Sequence, residues 1–180
     1  SVNSESYIAD WKAQASALSS PDLREAATLR ADAVAKQFEA VREKADAAKQ
    51  AYDPFITHLD DLEAYLINDL TPAGVKAADA SLKKVGVTGK ALKDAIAAYD
   101  AELSDLLSDA LSVRDLSTKV QHNGSQLTVH IYRAVGTGIN YYTLHDLIRE
   151  HLVPLQLSGV SQFQLIGHVE GVRRSEWNQS

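Results

Sequence analysis

The chain contains no cysteine and no methionine, and it has no long apolar run. Without cysteine there are no disulfides, thiolate nucleophiles, cysteine zinc sites or cysteine-ligated iron–sulfur clusters. No segment approaches the roughly 18 apolar residues that cross a bilayer, and no secretory signal pattern occurs at the start. The sequence therefore predicts a soluble chain without a transmembrane segment. A cytoplasmic location, a periplasmic or envelope-associated one, and prior removal of an export signal all stay open.

Basic residues are few, since 18 Lys/Arg stand against 24 Asp/Glu, and the net charge is −6. The acidic excess lies in residues 1–112, which hold 19 Asp/Glu and 12 Lys/Arg, whereas residues 113–180 hold 5 and 6. An acidic surface repels a phosphate backbone, so we expect no nucleic-acid partner. The same division predicts two parts, a helical region over 1–112 and a small α/β module over 113–180.

Heptad spacing is the strongest pattern in the first part. Apolar or small residues recur in steps of four and three at Ala27, Ala31, Val34, Phe38, Val41, Ala45, Ala48 and Tyr52. This spacing predicts a coiled-coil or bundle seam. Burial of apolar surface contributes about 25 cal/mol for each Å² removed from water, and an alanine side chain buries little area. A seam rich in alanine therefore gains little from packing within one chain, so we expect self-association through leftover apolar surface.

Prolines and glycines divide this region into arms. Ser20 before Pro21 predicts a helix start, and Asp53 with Pro54 and Thr71 with Pro72 predict two restarts. Gly86 to Gly89 predicts a break before the last arm, and residues 4–18 form a helix that is separate from the next or kinked into it. The result is a long antiparallel helical hairpin or bundle. Its predicted packing residues are Val34, Phe38, Val41, Leu59, Leu62, Leu66, Leu92, Ile96, Leu103 and Leu106.

Alternation replaces the heptads after residue 111. Leu127, Val129 and Ile131 alternate with polar residues, as a strand requires, and the Asn123-Gly124 pair upstream predicts a hairpin to a strand over 117–122. A helix from about 140 to 152 stops before Pro154, and 162–169 is typical of a third strand. The module is predicted as β-β-α-β, and the fold class of the chain is α+β.

One loop in the module has a pattern associated with anion binding. Gly136, Thr137 and Gly138 lie between a strand and a helix, where backbone N–H groups and nearby Arg133 can hold an anion. The dinucleotide fingerprint fails because Tyr141 occupies the third glycine position. A flexible turn is the favoured interpretation, and a small anion site is the alternative.

No pattern indicates a metal or catalytic site. Five histidines, His122, His130, His145, His151 and His168, fall in the module, but their spacing does not suit ligands, and His130 with His168 would need adjacent strands in register. The acidic groups Asp60, Asp61 and Glu63, and Asp100, Glu102 and Asp105, are interpreted as solvated helix surface. We therefore predict no catalytic residue, metal or cofactor.

Two segments resemble bacterial families. ADWKAQ, SSPDLRE and AYDPFITHLDDLEAYLINDLTPAGVKA carry a resemblance of residues 9–112 to a family of unknown function made of long helical hairpins, of envelope or lipoprotein type. NYYTLHDLIREHLVPLQLSGVSQFQLIGHVEG and a closing EW make residues 127–177 similar to a small module of uncharacterised proteins from photosynthetic bacteria, with Ser175 where relatives have proline. The first resemblance implies a fold and neither implies an activity. A natural fusion and an artificial joining of the two parts both stay open.

Three functional hypotheses follow. The leading one is a non-enzymatic scaffold or interaction protein, in which heptad helices bind a protein partner or form a homo-oligomer and the module adds a recognition surface. The alternative is a small anion-sensing or ligand-sensing module coupled to a helical stalk. An enzyme with a site assembled from distant residues is the third.

Overall fold

The structure is a computed structural model that describes residues 3–157 and 159–179. Long helices precede a four-stranded mixed sheet, which confirms the α+β fold class. The helices are α1 (Ser4–Ser16), α2 (Pro21–Asn68), α3 (Pro72–Ala77), α4 (Asp79–Leu111) and α5 (Tyr141–Leu152). The strands are β1 (Leu116–Asn123), β2 (Gln126–Arg133), β3 (Gln162–Val169) and β4 (Ser175–Gln179). No helix in the described part combines the length and the apolar character that crossing a membrane requires.

The helix starts at Pro21 and Pro72 are confirmed, and α1 is a separate helix. Each proline occupies the first helical position, where its missing N–H has no helical acceptor in any case. Before Pro72, the hydroxyl of Thr71 accepts a hydrogen bond from the Gly74 N–H at 3.1 Å and caps α3. These boundaries therefore follow from capping chemistry in the sequence.

The predicted restart at Pro54 is wrong, because α2 continues through it. Proline removes one hydrogen bond of the helix and costs about 3 kcal/mol in a helix interior. The apolar seam keeps its phase across this point, with Ala48, Tyr52, Phe55, Leu59 and Leu62 in unbroken steps of four and three. A new helix axis at Pro54 would lose that phase, so seam packing outweighs the local defect.

The predicted break at Gly86 to Gly89 is also wrong, because α4 runs through both glycines. Gly89 faces α2, and a Cβ atom built on it would lie 3.1 Å from the ring of Phe55. A Cβ on Gly86 would contact nothing within 4 Å. Gly89 therefore provides space for an aromatic ring on the opposite arm, which local helix propensity does not indicate.

The sheet has the order β1-β2-β3-β4. Strands β1 and β2 are antiparallel, β2 and β3 are parallel, and β3 and β4 are antiparallel. Gly124 has φ +60° and begins the two-residue turn between β1 and β2, as a type II′ hairpin requires. The parallel pair needs a crossover, which α5 supplies. The predicted hairpin, helix and third strand are thus present.

The β-β-α-β prediction is incomplete, because β4 adds a fourth strand. Its sequence, Ser-Glu-Trp-Asn-Gln, contains one apolar residue, Trp177, and so lacks the alternation that identified β2. An edge strand needs little apolar surface when its backbone pairs with a neighbour. Strand β4 is specified mainly by its pairing with β3.

Contacts divide the chain into two compact units. The described residues of Ser1–Arg42 and Asp100–Ser180 form the first, called here the sheet unit, and Glu43–Tyr99 form the second, called the hairpin unit. The division at 112/113 stays a prediction about sequence regions. Contacts group the chain differently, because the first half of α2 and the end of α4 fall in the same compact unit as the sheet.

Burial is concentrated in the sheet unit. Its core contains Val34, Phe38 and Val41 from α2 and Leu103 and Leu106 from α4, all buried, together with the inner side chains of β1, β2, β3 and α5. In the hairpin unit the predicted packing residue Leu62 is buried, Leu66, Leu92 and Ile96 are half-buried, and Leu59 is exposed. The predicted packing residues are therefore fully buried mainly in the sheet unit.

Candidate functional site

The Gly136 loop is organised by Arg133. The guanidinium donates to the carbonyl oxygens of Thr137 at 2.8 Å and Ala134 at 3.2 Å. It also makes two bonds of 2.6 Å to the carboxylate of Glu176 in β4. The structure thus brings Arg133 together with the loop. The guanidinium, however, binds carbonyl oxygens there, and the carboxylate of Glu176 neutralises its charge.

Tyr141 extends this network. Its hydroxyl donates to Glu176, and its ring stacks on Trp177 with centroids 4.9 Å apart. Hydrogen bonds from Arg133 and then Tyr141 lower the pKa of Glu176 to about 2. Burial and the neighbouring Glu176 raise the pKa of Tyr141 to about 12. The network therefore keeps one negative and one positive charge at neutral pH and links β4 to the end of β2 and to the start of α5.

The first turn of α5 uses its own residues for capping. The side chain of Asn140 accepts hydrogen bonds from the N–H groups of Tyr142 at 3.1 Å and Thr143 at 3.5 Å. Those N–H groups are the ones that an anion at this helix end would need. The anion site at Gly136, Thr137 and Gly138 stays a prediction, and the contacts of Arg133 and Asn140 give it no support.

Two of the five histidines of the module do contact each other. His130 and His168 lie on the adjacent strands β2 and β3, with His130 Nδ1 2.9 Å from His168 Nε2, and the ring of His168 also stacks on Tyr132. Burial, followed by the proximity of His168 and Lys119, lowers the pKa of His130. No group of three or more potential ligands able to hold a metal ion occurs among the described residues. The pair forms a side-chain contact between the neighbouring strands β2 and β3.

Helix α4 covers the edge of β1 through a polar ladder that the sequence analysis missed. Asp100, Ser104 and Ser108 accept hydrogen bonds from the backbone N–H groups of His122 at 3.2 Å, Val120 at 2.8 Å and Thr118 at 3.1 Å. Four helical residues rise about 6 Å and two strand residues about 6.7 Å, so the two repeats match.

The interpretation of Asp100 as solvated helix surface is wrong. Its carboxylate also bonds the ring of His122, and its side chain is mostly buried. The ladder satisfies donors that an exposed edge strand would offer to another chain. This edge of the sheet is therefore closed to strand pairing.

The hairpin unit exposes large apolar side chains on both arms. Tyr52 and Leu59 of α2 are 51% and 40% exposed, and Leu82 of α4 is 57% exposed. Other exposed apolar residues of this unit are Tyr65, Ile67, Leu70, Val75 and Val87. Exposed apolar surface of this kind is typical of an interaction site.

Helical geometry groups part of this surface on one side. Tyr52, Ile56 and Leu59 are spaced by four and three, so they share one flank of α2, on which Tyr52 and Leu59 are exposed members of the heptad seam. Leu82 and Ile96 lie fourteen residues apart and share one flank of α4. His58 contacts Thr88 and Phe55 contacts Gly89, so the two arms run antiparallel. In this arrangement the flank of α2 and the flank of α4 point to the same side of the hairpin. We call these five residues the hairpin flank.

The two arms carry opposite charge. Residues 43–69 contain seven Asp/Glu and two Lys, whereas residues 70–99 contain five Lys and two Asp. The ion pairs of this unit, Lys83 with Asp79 at 2.6 Å and Lys90 with Asp94 at 2.5 Å, both lie within α4. Among the described residues of 43–99, no ion pair joins one arm to the other. Most acidic charge on α2 and much basic charge on α4 therefore faces solvent.

Comparisons with protein-family models, with curated proteins and with solved structures found no match. The two resemblances described from sequence motifs accordingly stay predictions.

Proposed function

We propose that this chain is a non-enzymatic interaction protein whose hairpin unit associates with the hairpin unit of a second copy. The observation that carries the proposal is the hairpin flank, an apolar strip on two helices of opposite charge. Two such strips in contact give a four-helix bundle, the arrangement in which paired helical hairpins bury a shared core.

The apolar contribution to dimerisation comes from burying the hairpin flank. The apolar stripe of each arm is wider than the other arm of the same hairpin can cover. A helix with two helical neighbours has apolar residues beyond the simple heptad seam. In α2, Ile56 lies beside the exposed seam residues Tyr52 and Leu59 and widens the apolar stripe. Full burial of such side chains contributes about 1.5–3 kcal/mol each, and these are already partly covered. Association also costs about 4–15 kcal/mol of translational and rotational freedom, so we expect a weak dimer.

Charge selects one arrangement of the two copies. A two-fold axis along the helices places α2 of one copy beside α4 of the other, whereas a perpendicular axis places α2 beside α2. The first arrangement joins an acidic arm to a basic arm, and the second joins two acidic arms. Like charges across an interface are unfavourable. We therefore propose the arrangement with α2 against the partner copy's α4.

Sedimentation of the full chain at concentrations on the order of 1–100 μM tests the proposal, because weak association is populated in this range. We expect the mass to rise from one copy to two. Leu59→Lys and Leu82→Lys each place a charge in the flank twice per dimer, so we expect at least roughly tenfold weaker association.

Val87→Lys is the matched control. Val87 is 71% exposed, and it lies five residues after Leu82, about 140° around α4 and away from the flank. This variant should associate as the unchanged chain does. A chain that stays a single copy throughout the range contradicts the proposal, and so does equal weakening by the control.

The arrangement has its own test. In Lys83→Glu/Lys90→Glu, α4 loses its basic excess, so association should weaken, most strongly at low salt. Association that is unchanged or strengthened by this double variant would contradict the pairing of α2 with the partner's α4.

A further inference from the structure

The sheet unit contains a groove of about 550 Å³ that opens to solvent at the start of β2 and β3. Its apolar lining comes from β2, β3, the end of α5 and the segment after it, and consists of Leu127, Leu152, Val153, Leu157, Val160 and Phe163. Leu127 and Leu152 are buried, whereas Val153 is half exposed. The groove thus has a buried apolar floor and an accessible rim, and its volume lies within the range of about 300–1,000 Å³ typical of small-molecule sites.

Two polar side chains of α5 border this apolar surface. The ring of His145 packs against Phe163 with centroids 5.7 Å apart, and its Nδ1 lies 3.5 Å from the carboxylate of Asp146, which points into solvent. Arg149 is exposed and also lines the groove. Within residues 3–157 and 159–179, Arg149 makes no ion pair or hydrogen bond through its guanidinium, although Asp146 is three residues away on the same helix.

We propose that this groove binds a small amphipathic anion, with the apolar body of the ligand on Leu127, Leu152 and Phe163 and its anionic head on Arg149. A guanidinium binds a carboxylate through two parallel hydrogen bonds, and Arg149 supplies the guanidinium in this lining. The apolar floor excludes a ligand that is polar throughout, because its polar groups would lose water without gaining partners.

The proposal concerns the sheet unit and is independent of dimerisation through the hairpin unit. No bond is formed or broken, so the groove is a binding site and not a reaction centre. A carboxylate with an alkyl chain is the simplest ligand with this chemistry.

Octanoate and 1-octanol, which share an alkyl chain and differ in charge, are suitable probes. Titration of the full chain with each, followed by amide NMR, should show saturable shifts at Leu127, Phe163 and the end of α5. We expect octanoate to bind about tenfold more tightly than 1-octanol. This ratio of affinities is what a single charge-assisted contact at an exposed rim contributes.

Arg149→Gln should weaken octanoate binding about tenfold and leave 1-octanol binding unchanged. Arg173→Gln is the matched control, because Arg173 is exposed beyond the far end of β3; it should change neither. Val160→Trp should fill the groove and reduce both affinities. Absence of saturable octanoate binding overturns the proposal, as does equal octanoate affinity for Arg149→Gln and the unchanged chain. The arginine variant decides the matter even where the tryptophan variant fails to fold.

Discussion

The ladder between α4 and β1 predicts that the side chain of Ser104 stabilises the folded chain. Its hydroxyl oxygen lies 2.8 Å from the N–H of Val120, and the hydroxyl donates to the carbonyl of Asp100 at 2.7 Å. The variant Ser104→Ala removes this acceptor without adding volume. The Thr118 hydroxyl, which donates to the backbone carbonyl of residue 104 at 2.9 Å, keeps its acceptor. The perturbation is therefore confined to the bond with Val120 and to the bond with Asp100 within the helix.

The expected loss follows from the burial of Val120, which is 2% exposed. Leaving a buried N–H group without an acceptor costs about 1–3 kcal/mol. Alanine is the better helix former and recovers roughly 0.5 kcal/mol in the interior of α4. We expect Ser104→Ala to lower the free energy of unfolding by about 0.5–2.5 kcal/mol.

Urea unfolding measures this difference, and amide hydrogen exchange locates it. The Val120 amide should exchange faster in the variant, whereas the Leu165 amide in β3 should keep its protection relative to global stability. Ser81→Ala, also in α4, is the control, because Ser81 makes no side-chain hydrogen bond in the described part of the chain; it should be neutral or slightly stabilising. Equal stability of the two variants, with Val120 still protected, would refute the ladder as a source of stability.

Two further predictions concern the glycines of α4 and the histidine pair. Gly86→Ala should stabilise the chain to urea by about 0.8–1 kcal/mol, because helix propensity improves and the new Cβ meets nothing, whereas Gly89→Ala should gain less, because its Cβ would lie 3.1 Å from the Phe55 ring. Equal gains would show that the ring moves freely. The pKa of His130 is lowered from its ordinary value of 6.5, so the folded chain binds fewer protons than the unfolded chain, and stability should fall as pH drops below 6.5. His130→Gln should remove that part of the pH dependence, and a fall of the same size between about pH 7.5 and pH 5 in this variant would contradict the assignment to His130.

Local chemistry predicted several boundaries. The helix starts at Pro21 and Pro72 depend on residues that are adjacent in sequence, and so does the turn at Gly124. The same local rules failed at Pro54 and at Gly86 to Gly89, because packing against the opposite arm keeps both helices continuous. The unbroken seam phase through Tyr52, Phe55 and Leu59 was the signal against a restart.

The candidate surfaces were less accessible to sequence analysis. The apolar residues of the hairpin flank are visible as a stripe wider than a heptad seam, but their exposure depends on which helices lie beside them. Asp100 illustrates the same limit, since a carboxylate on a helix is solvated by default until a strand edge is placed against it. Arg133 could be assigned to the loop from its position, yet its pairing with Glu176 requires β4, which sequence alternation does not reveal.

The sequence by itself determined the α+β class, the acidic helical region with its heptad seam, and most of the hairpin and crossover elements of the module. These follow from periodicity and from the backbone preferences of proline, glycine and capping residues, which act over a few positions. Tertiary structure decided the continuity of α2 and α4, the fourth strand and the partners of Asp100 and Arg133. It also decided which apolar residues stay exposed. Those outcomes depend on contacts between residues far apart in the chain, whose energies are comparable to or larger than the local preferences they override.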